Sequence, residues 1–102
     1  MKFLKKFKAY LRYIKAVKMA DNAHKQNGER YYVMPGYDRK LIIMDRRNFR
    51  LLKQKKYIPN KASVKHLELE CFYCTPYKNG KGKLSKDDIA SKRDQFYRWL
   101  SL

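Results

Sequence analysis

The stretch that decides the fold spans residues 30–45 and reads RYYVMPGYDRKLIIMD. Both of its ends are rich in Tyr, Val and Ile, which are aromatic and β-branched residues that favour strands. Pro35, Gly36 and Asp38 between them supply the residue types that a reversal of the chain needs. The stretch therefore predicts a β-hairpin over residues 30–44.

Helical patterns lie on both sides of the hairpin. We predict four helices, over residues 1–26, 46–56, 63–74 and 86–100. Asp45, Ser63 and Ser85 stand at the N-cap positions of the last three, where a side-chain oxygen accepts a hydrogen bond from a free backbone N–H. Four helices and one hairpin predict a helix-dominated α+β fold. The 102 residues form a single domain, since domains usually run to about 100–150 residues.

The first predicted helix is amphipathic. Its large apolar residues recur in steps of four and three, with lysines and arginines opposite them: Phe3, Phe7, Tyr10, Ile14 and Val17. We expect this apolar stripe to face the core of so short a chain. An alternative stays open, because a basic amphipathic helix can also lie in the interface of a bilayer.

The charge of the chain is strongly positive. Twenty-six Lys and Arg against nine Asp and Glu give a net charge of +17, and the excess lies in residues 1–20, 46–61 and 78–86. Self-repulsion of this size is normally tolerated only near an anion. The composition predicts a polyanionic partner, DNA or RNA, bound through its phosphates without sequence preference.

The candidate phosphate contacts are cations of these three segments. On the second predicted helix, Arg46, Arg50 and Lys53 fall on one side, while Phe49 and Leu52 face the core. The full set comprises Lys5, Lys8, Arg12, Arg46, Arg47, Arg50, Lys53, Lys55, Lys56, Lys78, Lys81 and Lys83.

Tyrosines near the hairpin and near the loop at residues 78–83 offer a second mode of contact, because aromatic rings stack on unpaired bases. Packing in the core or at its rim explains most of them equally well. The tyrosines concerned are Tyr31, Tyr32, Tyr37, Tyr73 and Tyr77.

Cys71 and Cys74 form the sharpest local pattern, because two thiols at this spacing can make a redox pair or half of a zinc site. The chain has no other cysteine, and His24 and His66 lack the short spacing of a second half-site. Two glutamates just upstream raise the pKa of a nearby thiol. We expect both cysteines to be buried and structural, and we predict no metal and no cofactor.

No catalytic constellation is recognisable. The histidines have no Ser, Cys or carboxylate at a known spacing, and Gly80 and Gly82 lack the Walker pattern of a phosphate loop. We therefore predict a protein that is not an enzyme. No apolar run approaches about 18 residues, and no continuous apolar region of a secretory signal is present. We expect no integral membrane insertion, and a location in the cytoplasm of a bacterial host or in a virion.

Three stretches carry a resemblance: YYVMPG at residues 31–36, KLIIMDRRNFRLLKQ at residues 40–54 and ECFYCTPYKNG at residues 70–80. They resemble small uncharacterised basic proteins of bacteriophages and mobile elements of gut bacteria. That group has no settled activity, so the resemblance implies a phage or mobile-element context and transfers no site residue.

A second function stays open beside nucleic-acid binding. The chain would then be a structural component of a larger assembly, a phage virion or a ribonucleoprotein particle. Contacts with capsid or other assembly proteins would hold it there.

Overall fold

Within residues 2–102, which the computed structural model describes, the chain forms four α-helices and one three-stranded antiparallel sheet. The helices are α1 (Lys2–Asn27), α2 (Arg46–Gln54), α3 (Val64–Glu70) and α4 (Lys86–Trp99). The strands are β1 (Tyr31–Pro35), β2 (Leu41–Asp45) and β3 (Tyr73–Cys74), in the order β2-β1-β3. The predicted α+β fold is confirmed; Met1, the predicted start of the first helix, lies outside the described residues.

The predicted hairpin is formed by β1 and β2, with Tyr31 opposite Asp45 in the register. Gly36 closes the turn, because its N–H donates to the Lys40 carbonyl at 2.7 Å. A Cβ at this position would lie 2.8 Å from Cγ2 of Ile42, which is closer than van der Waals contact allows. The turn therefore requires glycine.

Capping residues fix where three of the helices begin or end. Asp45 ends β2 and caps α2 at once, its carboxylate accepting from the N–H of Asn48 at 2.7 Å. Ser85 accepts from the N–H of Asp88 at 3.1 Å in the same way, and Gly28 follows α1 with a left-handed φ of 76°. The caps predicted at Asp45 and Ser85 are confirmed.

The third predicted helix is wrong over its last residues. α3 ends at Glu70, and Tyr73–Cys74 form β3, which pairs with Tyr32 and Val33 of β1. The N–H of Phe72 also donates to the Val33 carbonyl at 2.8 Å. The free edge of β1 carries backbone donors and acceptors that need partners. Satisfying them outweighs the helical spacing of the two cysteines.

The sheet separates two hydrophobic clusters, because successive side chains of a strand point to opposite faces. Val33 faces a cluster formed with α1, α4 and Phe72. Tyr32 and Met34 face the other cluster, which includes Phe49 of α2 and residues of α3. The hairpin is therefore covered on both faces.

The face of α1 that packs on the sheet differs from the predicted one. The buried residues are Ala9, Tyr13, Ala16 and Ala20, which recur in steps of four, three and four. The Tyr13 hydroxyl donates to the Phe72 carbonyl at 2.8 Å, and its ring lies 5.7 Å from that of Phe96. Small alanines allow the other elements to approach the helix closely, and one large ring fills the centre.

The apolar stripe that was expected to face the core is therefore largely uncovered. Phe3, Phe7 and Tyr10 are exposed, and only Ile14 and Val17 are half-buried against the core. Within the described residues, no helix has the length and apolar character needed to cross a membrane.

We predict that Tyr13→Ala lowers the free energy of unfolding by about 3–5 kcal/mol, as expected for the loss of a buried ring. The matched change Phe7→Ala removes an exposed ring from the same helix, so it should cost less than about 0.5 kcal/mol. Urea denaturation followed by circular dichroism measures both. A larger loss for Phe7→Ala than for Tyr13→Ala would contradict the observed packing of α1.

Candidate nucleic-acid interface

The first turns of α2 present three arginines at one side of the molecule. Asp45 caps α2 directly after β2, and these turns lie beside Asn27 at the C-terminal end of α1. Together the segments form a cavity of about 520 Å³. Its lining consists of Asn27, Glu29, Asp45, Arg46, Arg47 and Arg50.

A second cavity, of about 400 Å³, shares Glu29 and Arg46 with the first. Its opposite side is formed by the loop after β3, with Tyr77, Lys78 and Asn79. Two of the three basic segments of the sequence therefore meet at Arg46. We call this surface the arginine cleft, and it comprises Arg46, Arg47, Arg50 and Lys78.

The basic residues of α1 do not join the arginine cleft. Lys5, Lys8 and Arg12 line a separate cavity of about 260 Å³ with Arg39. A guanidinium N–H of Arg12 donates to the Arg39 carbonyl there. The predicted cations therefore form two surfaces rather than one.

The remaining candidates lie outside these cavities. Lys53 is half-buried, with its Nζ 5.8 Å from the ring centroid of Phe49. Arg47 joins Arg46 and Arg50 in the lining of the cleft, and Lys53 does not. The other candidates are exposed and line none of the three cavities: Lys55, Lys56, Lys81 and Lys83.

The cleft keeps a positive excess because its acids are few. Asp45 is already engaged as the cap of α2, which leaves Glu29 as the other carboxylate of its lining. Among the side chains that the structure describes, Arg30 and Glu68 form the single ion pair, at 3.6 Å. The guanidinium groups of the cleft are therefore not neutralised by salt bridges.

The tyrosines considered for base stacking are mostly engaged within the fold. Tyr32 is buried, the Tyr31 hydroxyl accepts from Asn27 at 2.7 Å, and the Tyr73 hydroxyl donates to Asp21 at 2.7 Å. Tyr37, in the hairpin turn, is the one that is fully exposed, at 93%. The fifth, Tyr77, packs its ring against the guanidinium of buried Arg30.

Arg30 is a buried cation that the sequence did not single out. One Nη donates to Cys74 Sγ at 3.0 Å and to the Gly82 carbonyl at 3.3 Å. Its guanidinium carbon lies 4.2 Å from the ring centroid of Tyr77, whose hydroxyl donates to Glu68 at 2.7 Å. In the sequence, residue 30 is predicted to start a strand, and no sequence signal indicates that an arginine at this position is buried.

Cys71 and Cys74 are both buried, as predicted, and form no disulfide. The expectation that both pKa values are raised holds for Cys71 alone, where a hydrogen bond with Cys74 and burial are the causes. For Cys74, hydrogen bonds from Cys71 and from Arg30 lower the pKa to about 6. Glu68, one of the two upstream glutamates, is paired with Arg30 and accepts a hydrogen bond from the Tyr77 hydroxyl.

The two histidines serve local backbone groups. His66 Nδ1 accepts from the N–H of Ser63 at 2.8 Å and so caps α3, and His24 Nδ1 lies 2.7 Å from the Glu29 carbonyl. Across residues 2–102, no three His, Cys, Asp or Glu side chains lie close enough together to hold a metal ion.

A further cavity is apolar and lies apart from the cations of the arginine cleft. It measures about 740 Å³ and runs between the hairpin, α2 and α3. Its lining includes Met34, Ile42, Met44, Leu52 and Ile58. No Lys or Arg lines this groove, and Nδ1 of its one histidine, His66, is engaged with the N–H of Ser63.

Comparison of the chain with protein-family models, with curated proteins and with solved structures gives no match. The function of the arginine cleft therefore has to follow from the residues that line it.

We predict that replacing both Cys71 and Cys74 with Ala lowers the free energy of unfolding by about 2–5 kcal/mol, through lost packing and through loss of the hydrogen bond that buried Arg30 donates to Cys74. Affinity for nucleic acid should stay unchanged, because neither thiol lines the arginine cleft. Denaturation and binding titrations measure the two effects. Stoichiometric zinc in the purified protein, or unfolding by a chelator, would contradict a purely structural role.

The lowered pKa of Cys74 predicts a pH dependence of stability. Between pH 6 and 9, the pKa values of the folded thiol and of an unperturbed one, the unfolded chain binds more protons. The free energy of unfolding should therefore rise with pH across this range. The contribution is complete above the unfolded pKa and is lost as pH falls through the folded one. In Cys74→Ala, denaturation at several pH values should show a smaller rise, and an equal rise would contradict the shift.

Proposed function

We propose that this protein is a non-enzymatic, basic protein that associates with nucleic acid through phosphate contacts. The observation that carries the proposal is the arginine cleft. Arg46, Arg47 and Arg50 line one of its cavities, and Arg46 lines the adjoining one together with Lys78. A guanidinium presents paired N–H donors in a planar fork that fits phosphate oxygens. Their backbone is fixed on one short helix, so only the side chains lose freedom when they bind.

The expected binding mode follows from the kind of donors present. Arginine and lysine contacts to phosphate fix the position of a protein on a nucleic acid but carry no sequence information. Most of the tyrosines that could stack on bases are held by Asn27, Asp21 or Glu68. We therefore expect binding to DNA or RNA with slight sequence preference, in a phage or mobile-element context.

The apolar groove favours a second candidate function. A cavity of about 740 Å³ lined by methionine, leucine and isoleucine side chains suits a protein surface better than a phosphate backbone. It supports the alternative of a structural component in a virion or ribonucleoprotein particle, bound to capsid or other assembly proteins.

We predict that Arg46→Gln, Arg47→Gln and Arg50→Gln together weaken binding about equally for all sequences. For duplex DNA, the slope of log affinity against log salt should shrink by close to 0.9 for each lost phosphate contact. Glutamine is a comparable helix former, so the fold should persist. Fluorescence anisotropy at several salt concentrations measures affinity and slope.

The matched control removes the same charge from the other basic surface, through Lys5→Gln, Lys8→Gln and Arg12→Gln. Its loss of affinity should be smaller, because these residues lie outside the arginine cleft. A cleft variant with native circular dichroism and unchanged affinity and salt slope would contradict the proposal. It would then favour the assembly component.

A further inference from the structure

The first half of α1 carries a second apolar face, which the fold leaves uncovered. Phe3 is 77% exposed, and Leu4, Phe7 and Leu11 are 50%, 52% and 51% exposed. With 3.6 residues per turn, these four side chains share one side of the helix, roughly opposite the buried alanines. We call this face the α1 ridge, and it comprises Phe3, Leu4, Phe7 and Leu11.

Cations border the ridge on both sides. Lys8 and Lys15 follow it on one flank, where both are exposed. Lys6 lies on the other flank, with its Nζ 5.1 Å from the ring centroid of Tyr97. The first acidic residue of the chain is Asp21, so no carboxylate of α1 neutralises this end of the helix.

We propose that the α1 ridge inserts into the interface of a membrane that contains anionic lipids. A helix with apolar side chains on one face and lysines beside them lies in the plane of the interface, with its apolar face about 5–10 Å deep. The lysine stems extend along the apolar boundary, so their ammonium groups reach lipid phosphates. Each cation near an anionic leaflet adds about 1 kcal/mol of attraction.

The charges favour a lipid surface over a second copy of this chain. Two copies joined through the ridge would bring together helices that each carry Lys6, Lys8 and Lys15 beside the contact, and each copy has a net charge of +17. The ridge is also a convex row on a single helix, whereas another protein would have to offer a matching acidic groove. A lipid interface adapts to a convex row and supplies the opposite charge.

The packing of α1 leaves the ridge available without unfolding. The face that anchors the helix begins at Ala9 and continues through Tyr13, Ala16 and Ala20. The ridge lies on the other side of the helix, so insertion would break no contact of the core. It also lies on a different element from the arginine cleft, and the proposal therefore does not depend on nucleic-acid binding.

The test is sedimentation of the full chain with vesicles, made either of phosphatidylcholine alone or of equal parts phosphatidylglycerol and phosphatidylcholine. We expect strong binding to the mixed vesicles and weak binding to the neutral ones. Phe3→Gln with Phe7→Gln should lower the partition coefficient for mixed vesicles at least about tenfold per lost ring. The matched control Tyr57→Gln with Leu69→Gln removes two exposed apolar side chains elsewhere and should bind as the unchanged protein does.

A second measurement reports insertion directly. In Phe7→Trp, lipids brominated on their chains should quench the added fluorescence, beyond any quenching of Trp99 in the unchanged protein. Nucleic-acid affinity should be the same for the Phe3→Gln, Phe7→Gln variant. Equal vesicle binding by the ridge variant and the control would overturn the proposal. So would absent quenching, or a ridge that proves to mediate self-association or capture of an acidic protein without lipid.

Discussion

The structure depends on the burial of one cation, Arg30. Its guanidinium joins β1 to α3 through Glu68, to β3 through Cys74 and to the following loop through Gly82. Burying a charge costs several kcal/mol unless partners compensate it, and here the ring of Tyr77 supplies a further one at 4.2 Å. These segments all pack where β3 meets β1. The network explains how a strand of only two residues is held at the edge of the sheet.

The sequence predicts the elements whose signals are local. Asp45, Gly36 and Ser85 each act on the backbone within a few residues, so their positions mark the hairpin and two helix starts correctly. It fails at β3 and at the face of α1, because both depend on contacts distant in sequence. Tyr73–Cys74 form a strand only because β1 offers them a free edge. The alanines of α1 are buried because the sheet and α4 approach there, although larger residues dominate the hydrophobic pattern.

The candidate interface likewise has features that the sequence predicts and features that depend on contacts distant in sequence. Charge counting finds Arg46, Arg47 and Arg50, and helical spacing correctly places Phe49 toward the core. Spacing alone cannot show that Lys78 lies across from Arg46. That position follows from where the loop after β3 is placed, and Arg30 contacts this loop through the Gly82 carbonyl. The contacts of buried Arg30 are therefore what the sequence would have to reveal before the whole interface could be predicted.

A chain with so few acids must satisfy its enclosed cations in another way, and it uses backbone carbonyls. Lys92 Nζ donates to the carbonyls of Glu68 and Cys71 at the end of α3, and buried Arg30 donates to that of Gly82. A carbonyl at a helix end has a free lone pair and a favourable dipole for a cation. These cations hold the fold. The cations of the arginine cleft, and Lys8 and Lys15 beside the α1 ridge, are exposed, which leaves their charge for anions outside the protein.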